Sequence, residues 1–425
     1  MSYVDAFYNK DKDIVQVVER SKGKRVYNDY PAWRTFYVKD PRGDHVSIHG
    51  DKVRQIKCKR LKDLHKERKI NTGKTFYESD MKPEVKCLSE NYNGLDYIDD
   101  AIKSGATAIL VDKAELFDST AISIEVFKVA MLRKNAGFII SRFYGNPSKN
   151  IKVTGVTGTN GKTTVSYLIA YVMHELENNS AFIGTLGYGL FGQIETGRTT
   201  TPDPVKLQSL FSLWENQVDS VAMEVSSHAL DQGRTEGTEF NTAVFTNFSR
   251  DHLDYHKTVD DYINAKFSLF EKTGLQNAVV NIGDPYGVKL VEKLSEDLNV
   301  FAYSTKKTNL EFYKRQNISF IYCEKIETES FRKRIIEVQS PWGKATIKIN
   351  LLGEFNIENV LAAFTVLCLS GASTEAVAAK LSDFNGLPGR MEVFSSEDKP
   401  LIVVDYAHTP DALEKALTSL KPYCK

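Results

Sequence analysis

Residues Gly158-Thr159-Asn160-Gly161-Lys162-Thr163-Thr164 stand directly behind the apolar, β-branched run 151–157. A buried strand that ends in glycines and then Lys-Thr constrains the fold more than any other stretch of this chain. Glycines let backbone N–H groups close around phosphate oxygens, and a Lys ammonium reaches the terminal phosphates. A Thr hydroxyl ligates Mg²⁺, and the helix that begins there turns its positive end toward the anion. The general G-x-x-x-x-G-K-[ST] spacing would put a glycine at 156, where Val156 stands; Gly158 gives a tighter G-x-x-G-K-T form. With a helix expected over 165–176, the stretch predicts a nucleotide-phosphate loop. A glycine-rich βα turn without a ligand would have the same local shape.

The apolar β-branched runs recur at 151–157, 180–185, 220–225, 242–246 and 277–282, separated by helical patterns at 165–176, 204–217 and 259–271. Strands alternating with helices predict an α/β fold, a central parallel sheet covered on both faces, with ligands at the carboxyl ends of the strands. A helix over 96–103, ended by Gly105, and a strand over 106–111 precede this unit. Residues 317–352 read as short alternating strands, such as 334–338 and 345–351, followed by helices at 355–370 and 373–383. Pro388-Gly389 marks a hinge, and 402–404 begins a new strand. Residues 1–90 are polar. Ten Lys/Arg against three acids lie between Asp51 and Lys74, a solvated face in preference to a basic patch.

A chain of 425 residues implies two or three domains. Lys+Arg and Asp+Glu are both 55, so global charge gives no reason to expect nucleic acid or a membrane surface. The five cysteines, Cys58, Cys87, Cys323, Cys368 and Cys424, form no C-x-x-C pair and fit free thiols in a reducing, cytoplasmic setting. No apolar run reaches the roughly 18–20 residues of a membrane span, and the N-terminus is not a signal peptide.

Two clusters sit just past strand ends. Glu224-Val225-Ser226-Ser227-His228 places a carboxylate where a second Mg²⁺ ligand belongs, or a turn-capping glutamate. Thr246-Asn247-Phe248-Ser249-Arg250-Asp251-His252-Leu253-Asp254-Tyr255-His256 concentrates ionisable groups beyond what packing needs. Thr199-Thr200-Thr201-Pro202-Asp203 is a helix N-cap signal by itself. Asn356 and Asn359 lie one helical turn apart, able to pair with a base edge, or to serve as caps or surface residues. Asp405, between a strand and a helix in Asp405-Tyr406-Ala407-His408-Thr409-Pro410, suits a ribose-binding carboxylate.

These stretches together resemble the Mur ligase family, ATP-dependent amide-forming enzymes of peptidoglycan assembly. The wording is most similar to the member that adds the third peptide residue. The carrying residues also include Met223–Leu230 with Gln232 and Arg234, Tyr262-x-x-Ala265-Lys266, Gly353–Asn359, Gly389-Arg390-Met391-Glu392 and Asp405–Leu413, in family order over about 93–425. The resemblance implies three domains: an atypical N-terminal UDP-substrate-binding-like α/β domain over 1–148, a central ATP-binding domain over 149–386, and the start of a Rossmann-like ligase domain over 387–425. It implies ATP binding by Gly158, Thr159, Asn160, Gly161, Lys162, Thr163, Thr164, Asn356, Asn359, Arg390 and Asp405. Thr163, Glu224, His252 and a carbamylated Lys266 would hold Mg²⁺, with Lys162, Lys266, His252 and Glu224 in catalysis. Thr200, Thr201, Ser226, Gln232 and Arg234 would hold UDP-MurNAc-L-Ala-D-Glu. The expected product is an amide to meso-diaminopimelate or L-lysine, formed through an acyl phosphate by a cytoplasmic monomer.

Two departures qualify this expectation. The family's Asp-Ser-Arg stretch has only Tyr77-Glu78-Ser79-Asp80 as its nearest text, although Asn93-Gly94-Leu95-Asp96-Tyr97-Ile98 resembles the later Asp-Gly-His-Asp-Phe-Ile signature. The Asp-Asn-Pro-Arg-type motif for the incoming amino acid is absent. The expectation is a fragment, or a diverged relative. The alternatives are a non-catalytic nucleotide-binding protein and another Mur or folylpolyglutamate-type ligase, the latter opposed by Glu224–His228 with Arg234.

Overall fold

The computed structural model describes residues 94–115, 120, 122–197, 199–306, 318–394 and 400–423, and the backbone of five strands within 3–49. The basic stretch 51–74, the segment 77–80, Asn93, Cys58, Cys87 and Cys424 lie outside the described residues. The chain divides into two units, Met1–Glu84 and Val85–Lys425. In the first, β1 (Tyr3–Asn9), β2 (Ile14–Ser21) and β3 (Lys24–Pro31) form an antiparallel meander, and β4 (Thr35–Lys39) pairs with β5 (His45–His49). The sequence pattern foresees none of these strands.

The second unit opens with α1 (Ile98–Lys103), a parallel pair of β6 (Ala108–Asp112) and β7 (Glu125–Val129), and α2 (Leu132–Phe143). A sheet of ten strands follows: β8 (Lys152–Thr157), β9 (Ser180–Gly184), β10 (Gly187–Leu190), β11 (Ser220–Glu224), β12 (Thr242–Phe245), β13 (Asn277–Asn281), β14 (Asn299–Ser304), β15 (Ser319–Thr328), β16 (Arg334–Ser340) and β17 (Gly343–Ile349). Their spatial order is β10-β9-β11-β8-β12-β13-β14-β15-β16-β17. From β9 to β15 every neighbouring pair is parallel, while at the two edges β10 and β16 run against that set and β17, antiparallel to β16, runs with it.

The parallel strands are buried on both faces, so they read as continuous apolar runs rather than alternating ones. One face is covered by α3 (Lys162–Glu175) and, further along, α9 (Phe355–Leu369), through Val165, Leu168 and Ile169 against Leu361 and Phe364. On the other face lie α4 (Pro204–Trp214), α7 (Val259–Phe267) and α8 (Pro285–Val291), through Leu207, Phe211, Ile263, Phe267 and Leu290. Short helices α5 (Ser227–Asp231) and α6 (Leu253–His256) follow β11 and β12, and α10 (Thr374–Asp383) follows α9. The hairpin of β18 (Glu392–Phe394) with β19 (Ile402–Val404) and the helix α11 (Pro410–Leu420) complete the unit.

The strand expectations from 151 to 282 hold to within a residue or two. The predicted N-cap before α4 is Asp203, whose Oδ1 accepts from Val205 N and Lys206 N at 3.0 Å each. Helix α3 begins at Lys162, ahead of the expected 165, because Gly161 in the left-handed region needs no side-chain cap. The pair Pro388-Gly389 forms a tight turn, with Arg390 N donating to Leu387 O at 3.3 Å. The strands β7, β10 and β14 and the helices α2 and α8 are unforeseen. Among the described residues no helix is long and apolar enough to cross a membrane.

Phe364 of α9 has no exposed surface and fills the seam between α9 and the sheet. Its replacement by Ala should lower unfolding free energy by about 3–5 kcal/mol. Urea titration of the purified variant checks this; a loss under 1 kcal/mol would mean that the seam repacks.

Candidate active site

Strand β8 ends in the middle of the sheet, between β11 and β12, so the carboxyl ends of three neighbouring strands open onto one crevice. Gly158 and Gly161 have φ of 142° and 85°, the region that penalises a Cβ. A Cβ at Gly158 would also run into Thr246 Oγ1, and one at Gly161 into Asn359 Oδ1. The segment after β12 clamps the loop between them. Asn160 N donates to Asn247 Oδ1 at 2.9 Å, and Thr246 Oγ1 donates to Asn160 O at 2.6 Å. Thr159 N donates to Asn247 O at 2.9 Å, and Thr159 Oγ1 donates to Ser249 O at 3.1 Å. The loop is therefore a preformed cradle rather than a flexible turn.

Lys162 Nζ lies over this cradle, donating to Gly158 O at 3.0 Å and Thr159 O at 2.9 Å. Burial lowers its pKa, and the charge of Glu224 opposes that shift. Glu224, 1% exposed at the end of β11, accepts from Thr185 N at 2.7 Å and Thr185 Oγ1 at 3.2 Å. Burial pushes its carboxyl up, while Lys162, Thr185, Arg390 and the Thr163 hydroxyl pull it down. Thr163 and Glu224 thus adjoin at the start of α3.

Lys266, on α7, is 1% exposed and donates to Gly158 O at 2.8 Å. Its Nζ stands 4.4 Å from the centre of the Tyr262 ring, and Tyr262 Oη lies 3.2 Å from Thr159 Oγ1. Burial, reinforced by Lys162, holds the Lys266 amine well below the usual lysine range. His252, in the left-handed region at φ 51°, borders the same crevice. Its ring centre is 4.7 Å from that of His228 and 6.1 Å from that of Tyr262. Burial lowers the His228 pKa to about 4, with His252 and His256 adding to the shift. His256 is occupied elsewhere, its Nε2 2.9 Å from Ser227 Oγ.

A second arc lies beside Glu224. Thr200 Oγ1 is 3.1 Å from Thr185 Oγ1, Thr201 Oγ1 donates to Glu224 O at 2.9 Å, and Ser226 N donates to Thr201 Oγ1 at 3.0 Å. Arg234 donates through Nε to Gln232 Oε1 at 2.7 Å and through NH1 to Thr201 O at 3.2 Å. The structure brings all five of these sequence-predicted residues together.

Three expectations are modified. Asn356 Nδ2 donates to Leu352 O at 2.7 Å, and Asn359 Nδ2 donates to Asn356 Oδ1 at 2.8 Å. Both amides are thus turned into the helix start, and it is the Asn359 oxygen that meets the loop at Gly161. Asp405 accepts from Met391 N and Ala407 N at 2.8 Å each, so both of its oxygens brace the chain around β19. Arg390 NH2 donates to Thr163 Oγ1 at 2.8 Å, at the head of the loop. Sequence reasoning singled out neither Thr185, which holds Glu224, nor Tyr262 in this role. Tyr262 lies within the Tyr-x-x-Ala-Lys stretch, whereas Thr185 carries no local signal.

Among the described residues no group of three or more His, Cys, Asp or Glu is arranged to hold a metal by itself. That fits Mg²⁺, which is usually held by one or two carboxylates plus substrate phosphates rather than by a protein cage. The Thr163 hydroxyl and Glu224 carboxylate supply such a partial donor set. The glycine cradle and Lys162 fit a nucleotide's phosphates.

Comparison with known proteins places these residues in a family. Residues 156–367 match the Mur ligase middle domain, and 389–425 match the Mur ligase glutamate ligase domain. The UDP-N-acetylmuramoyl-L-alanyl-D-glutamate--2,6-diaminopimelate ligase of Coxiella burnetii is 40% identical over 336 residues, 78% of this chain and 67% of that protein. The same-named ligase of Neisseria meningitidis serogroup A is 38% identical over 364 residues, 84% of this chain and 70% of that one. A solved structure of a ligase of that name aligns with a TM-score of 0.65 at 31% identity, covering 77% of this chain and 64% of the other. MurF ligase from Thermotoga maritima, solved in complex with ADP, shares the fold at a TM-score of 0.56 and 18% identity, over 79% of this chain and 70% of the other. The chain spans about two thirds of the length of the curated relatives it matches.

Replacing Lys162 by Ala should weaken ADP or ATP binding at least about tenfold, the scale of one charge-assisted hydrogen bond in a buried site. The chain should stay folded with a lowered unfolding midpoint, because the buried Glu224 carboxylate and the Gly158 and Thr159 carbonyls lose their positive partner. Calorimetric titration with nucleotide and a thermal melt check both; unchanged affinity would sink the phosphate-loop assignment.

Proposed function

The chain belongs to the Mur ligase family, and on that footing we propose that it catalyses ATP-dependent amide bond formation on UDP-MurNAc-L-Ala-D-Glu, adding 2,6-diaminopimelate. The observation that carries the reading is the convergence at one crevice of the phosphate loop, Glu224, the buried Lys266 amine and the arc from Thr200 to Arg234. The choice of 2,6-diaminopimelate over L-lysine rests on the names of the relatives. The N-terminal part, 1–148, would contribute to holding the UDP moiety; 149–386 would bind ATP; 387–425 would meet the nucleotide from the side of Arg390.

The chemistry runs in two steps. The D-Glu carboxylate attacks the γ-phosphorus of ATP, the bond to the β-phosphate oxygen breaks, and an acyl phosphate and ADP result. The diamino acid's amine then attacks the acyl carbon, and phosphate leaves from the tetrahedral intermediate with loss of the amine's proton. The first step brings two anions together, so positive charge at the crevice is the main requirement. Lys162 would turn from the Gly158 and Thr159 carbonyls to the phosphates. Arg390 would pass from the Thr163 hydroxyl to the transferring group, and Arg234 with Gln232, Thr200, Thr201 and Ser226 would orient the dipeptide carboxylate. Thr163, Glu224, His252 and a carbamylated Lys266 would hold Mg²⁺, which would supply neutralisation of the phosphate charge.

Lys266 enters that role only after modification. As an amine it is a donor, and an ammonium would repel a cation. Burial shifts its equilibrium toward the neutral amine, whose nitrogen lone pair is the nucleophile. Attack on the carbon of CO₂ forms an N–C bond and releases one proton, leaving a carbamate anion. Its side chain, packed on Tyr262, is already aimed at the loop.

Incubation of the purified chain with ATP, Mg²⁺, the UDP-dipeptide and either diamino acid, read by mass spectrometry, tests the reading. A tripeptide with diaminopimelate is expected, and none with L-lysine. Absence of any product, with nucleotide binding intact, would defeat it. Lys266→Ala should abolish ligation, with partial recovery on adding a small carboxylate such as acetate, while the wild type should lose activity in CO₂-depleted buffer. Full activity of Lys266→Ala would remove the carbamate.

A further inference from the structure

The C-terminal segment touches the phosphate loop at two places, and the two differ in kind. Arg390 donates to Thr163 Oγ1 at 2.8 Å, a hydroxyl that nucleotide and metal would claim. Asn160 Nδ2 donates to Asp411 Oδ2 at 3.0 Å across a sequence separation of 251 residues. This second contact uses none of the groups that would face phosphate: neither a loop N–H, nor Lys162, nor Thr163. It can persist when the loop is loaded, whereas the first must be exchanged.

Both ends of the Asn160–Asp411 contact are fixed. The Asn160 peptide is held on both sides, its N–H by Asn247 Oδ1 at 2.9 Å and its carbonyl by Thr246 Oγ1 at 2.6 Å and Asn247 Nδ2 at 3.1 Å. Asp411 stands in the first turn of α11, whose start is capped by Thr409 Oγ1 accepting from Ala412 N at 3.2 Å. A side chain anchored at both ends loses little further freedom on forming its hydrogen bond, so more of that bond's strength is available to hold the segment.

We propose that Asp411 is a positioning residue, a latch that holds α11 on the phosphate loop through Asn160 and keeps the C-terminal segment in place while Arg390 changes partners. For catalysis this rests on the ligase reading above; the latch itself does not. The competing role for Asp411 is purely helical: an acid in the first turn favours the helix dipole, and Lys415 Nζ lies 3.0 Å from the same Oδ2. That ion pair is half-exposed and contributes little.

Three variants separate the roles: Asp411→Ala, Asp411→Asn and Lys415→Ala. Amide hydrogen exchange of residues 410–420 is measured on the whole chain with and without ADP and Mg²⁺, alongside kcat, KM for ATP and the thermal midpoint. Asp411→Ala should speed exchange in α11 about tenfold, and lower kcat about tenfold with KM for ATP within threefold. Asp411→Asn keeps an acceptor oxygen for Asn160 and should return both to within threefold of wild type. Lys415→Ala should match wild type. Wild-type exchange in Asp411→Ala overturns the latch. Equal damage in Asp411→Ala and Asp411→Asn, with a lowered midpoint, would make Asp411 a helix-dipole charge only. If the wild type makes no tripeptide, the ligase reading fails, and the exchange comparison still decides the latch.

Discussion

One carbonyl oxygen organises the centre of this molecule. Gly158 O accepts from the partly buried Lys162 at 3.0 Å and from the buried Lys266 at 2.8 Å. Two ammonium groups sharing one acceptor in a low-dielectric site repel each other strongly. The arrangement is relieved if one nitrogen is neutral or if an anion enters. Lys266, fully buried with Lys162 as its nearest strong charge, is driven well toward neutrality. Lys162 keeps Glu224 as its partner. The same geometry therefore sets a lysine paired with Glu224 beside one held toward its neutral form.

That centre depends on backbone that only glycine can supply at Gly158, and on the polar segment after β12. Thr246 and Asn247 do for the loop what a metal or disulfide does elsewhere: they fix a short piece of chain against its own entropy. Asn281 continues the support. Its Nδ2 donates to Thr246 O at 2.8 Å and to Glu358 Oε2 at 3.1 Å, and its Oδ1 accepts from Gly283 N at 2.9 Å. Glu358, raised in pKa by burial, sits between Asn356 and Asn359 on α9. The helix that covers one face of the sheet is thus tied to the loop by a run of buried polar contacts. Such a network is rigid when fully satisfied and costly to break at any member.

The sheet and the loop were legible because their signals are local. Fully buried strands need apolar residues at every position, and a phosphate loop needs glycine, lysine and threonine in order. The arc from Thr200 to Arg234 was gathered through resemblance, whereas Glu224 and the cluster around His252 stood out by their places just past strand ends. What escaped reading is what depends on distant partners. Nothing near Thr185 says that it will hold Glu224, and Lys266, named through the resemblance, has no local signal of the burial that the Tyr262 ring and Gly158 O give it. Asn356 and Asn359 were placed correctly on one helix face, but their donors are spent at the helix start. Strands β10 and β14 are short or flanked by ambiguous text, and helix α8 is a single motif of Asp284-Pro285 followed by too few apolar residues to show a period.

The C-terminal segment is attached by much less than the core. Its apolar contact is the small cluster of Leu352, Met391 and Ala416 with a few partly buried neighbours. Ile402, Val404, Leu413 and Leu417 are exposed. Polar contacts to Asn160 and Thr163, made from opposite ends of the segment, supply the single resting place and bring Arg390 to the head of the phosphate loop.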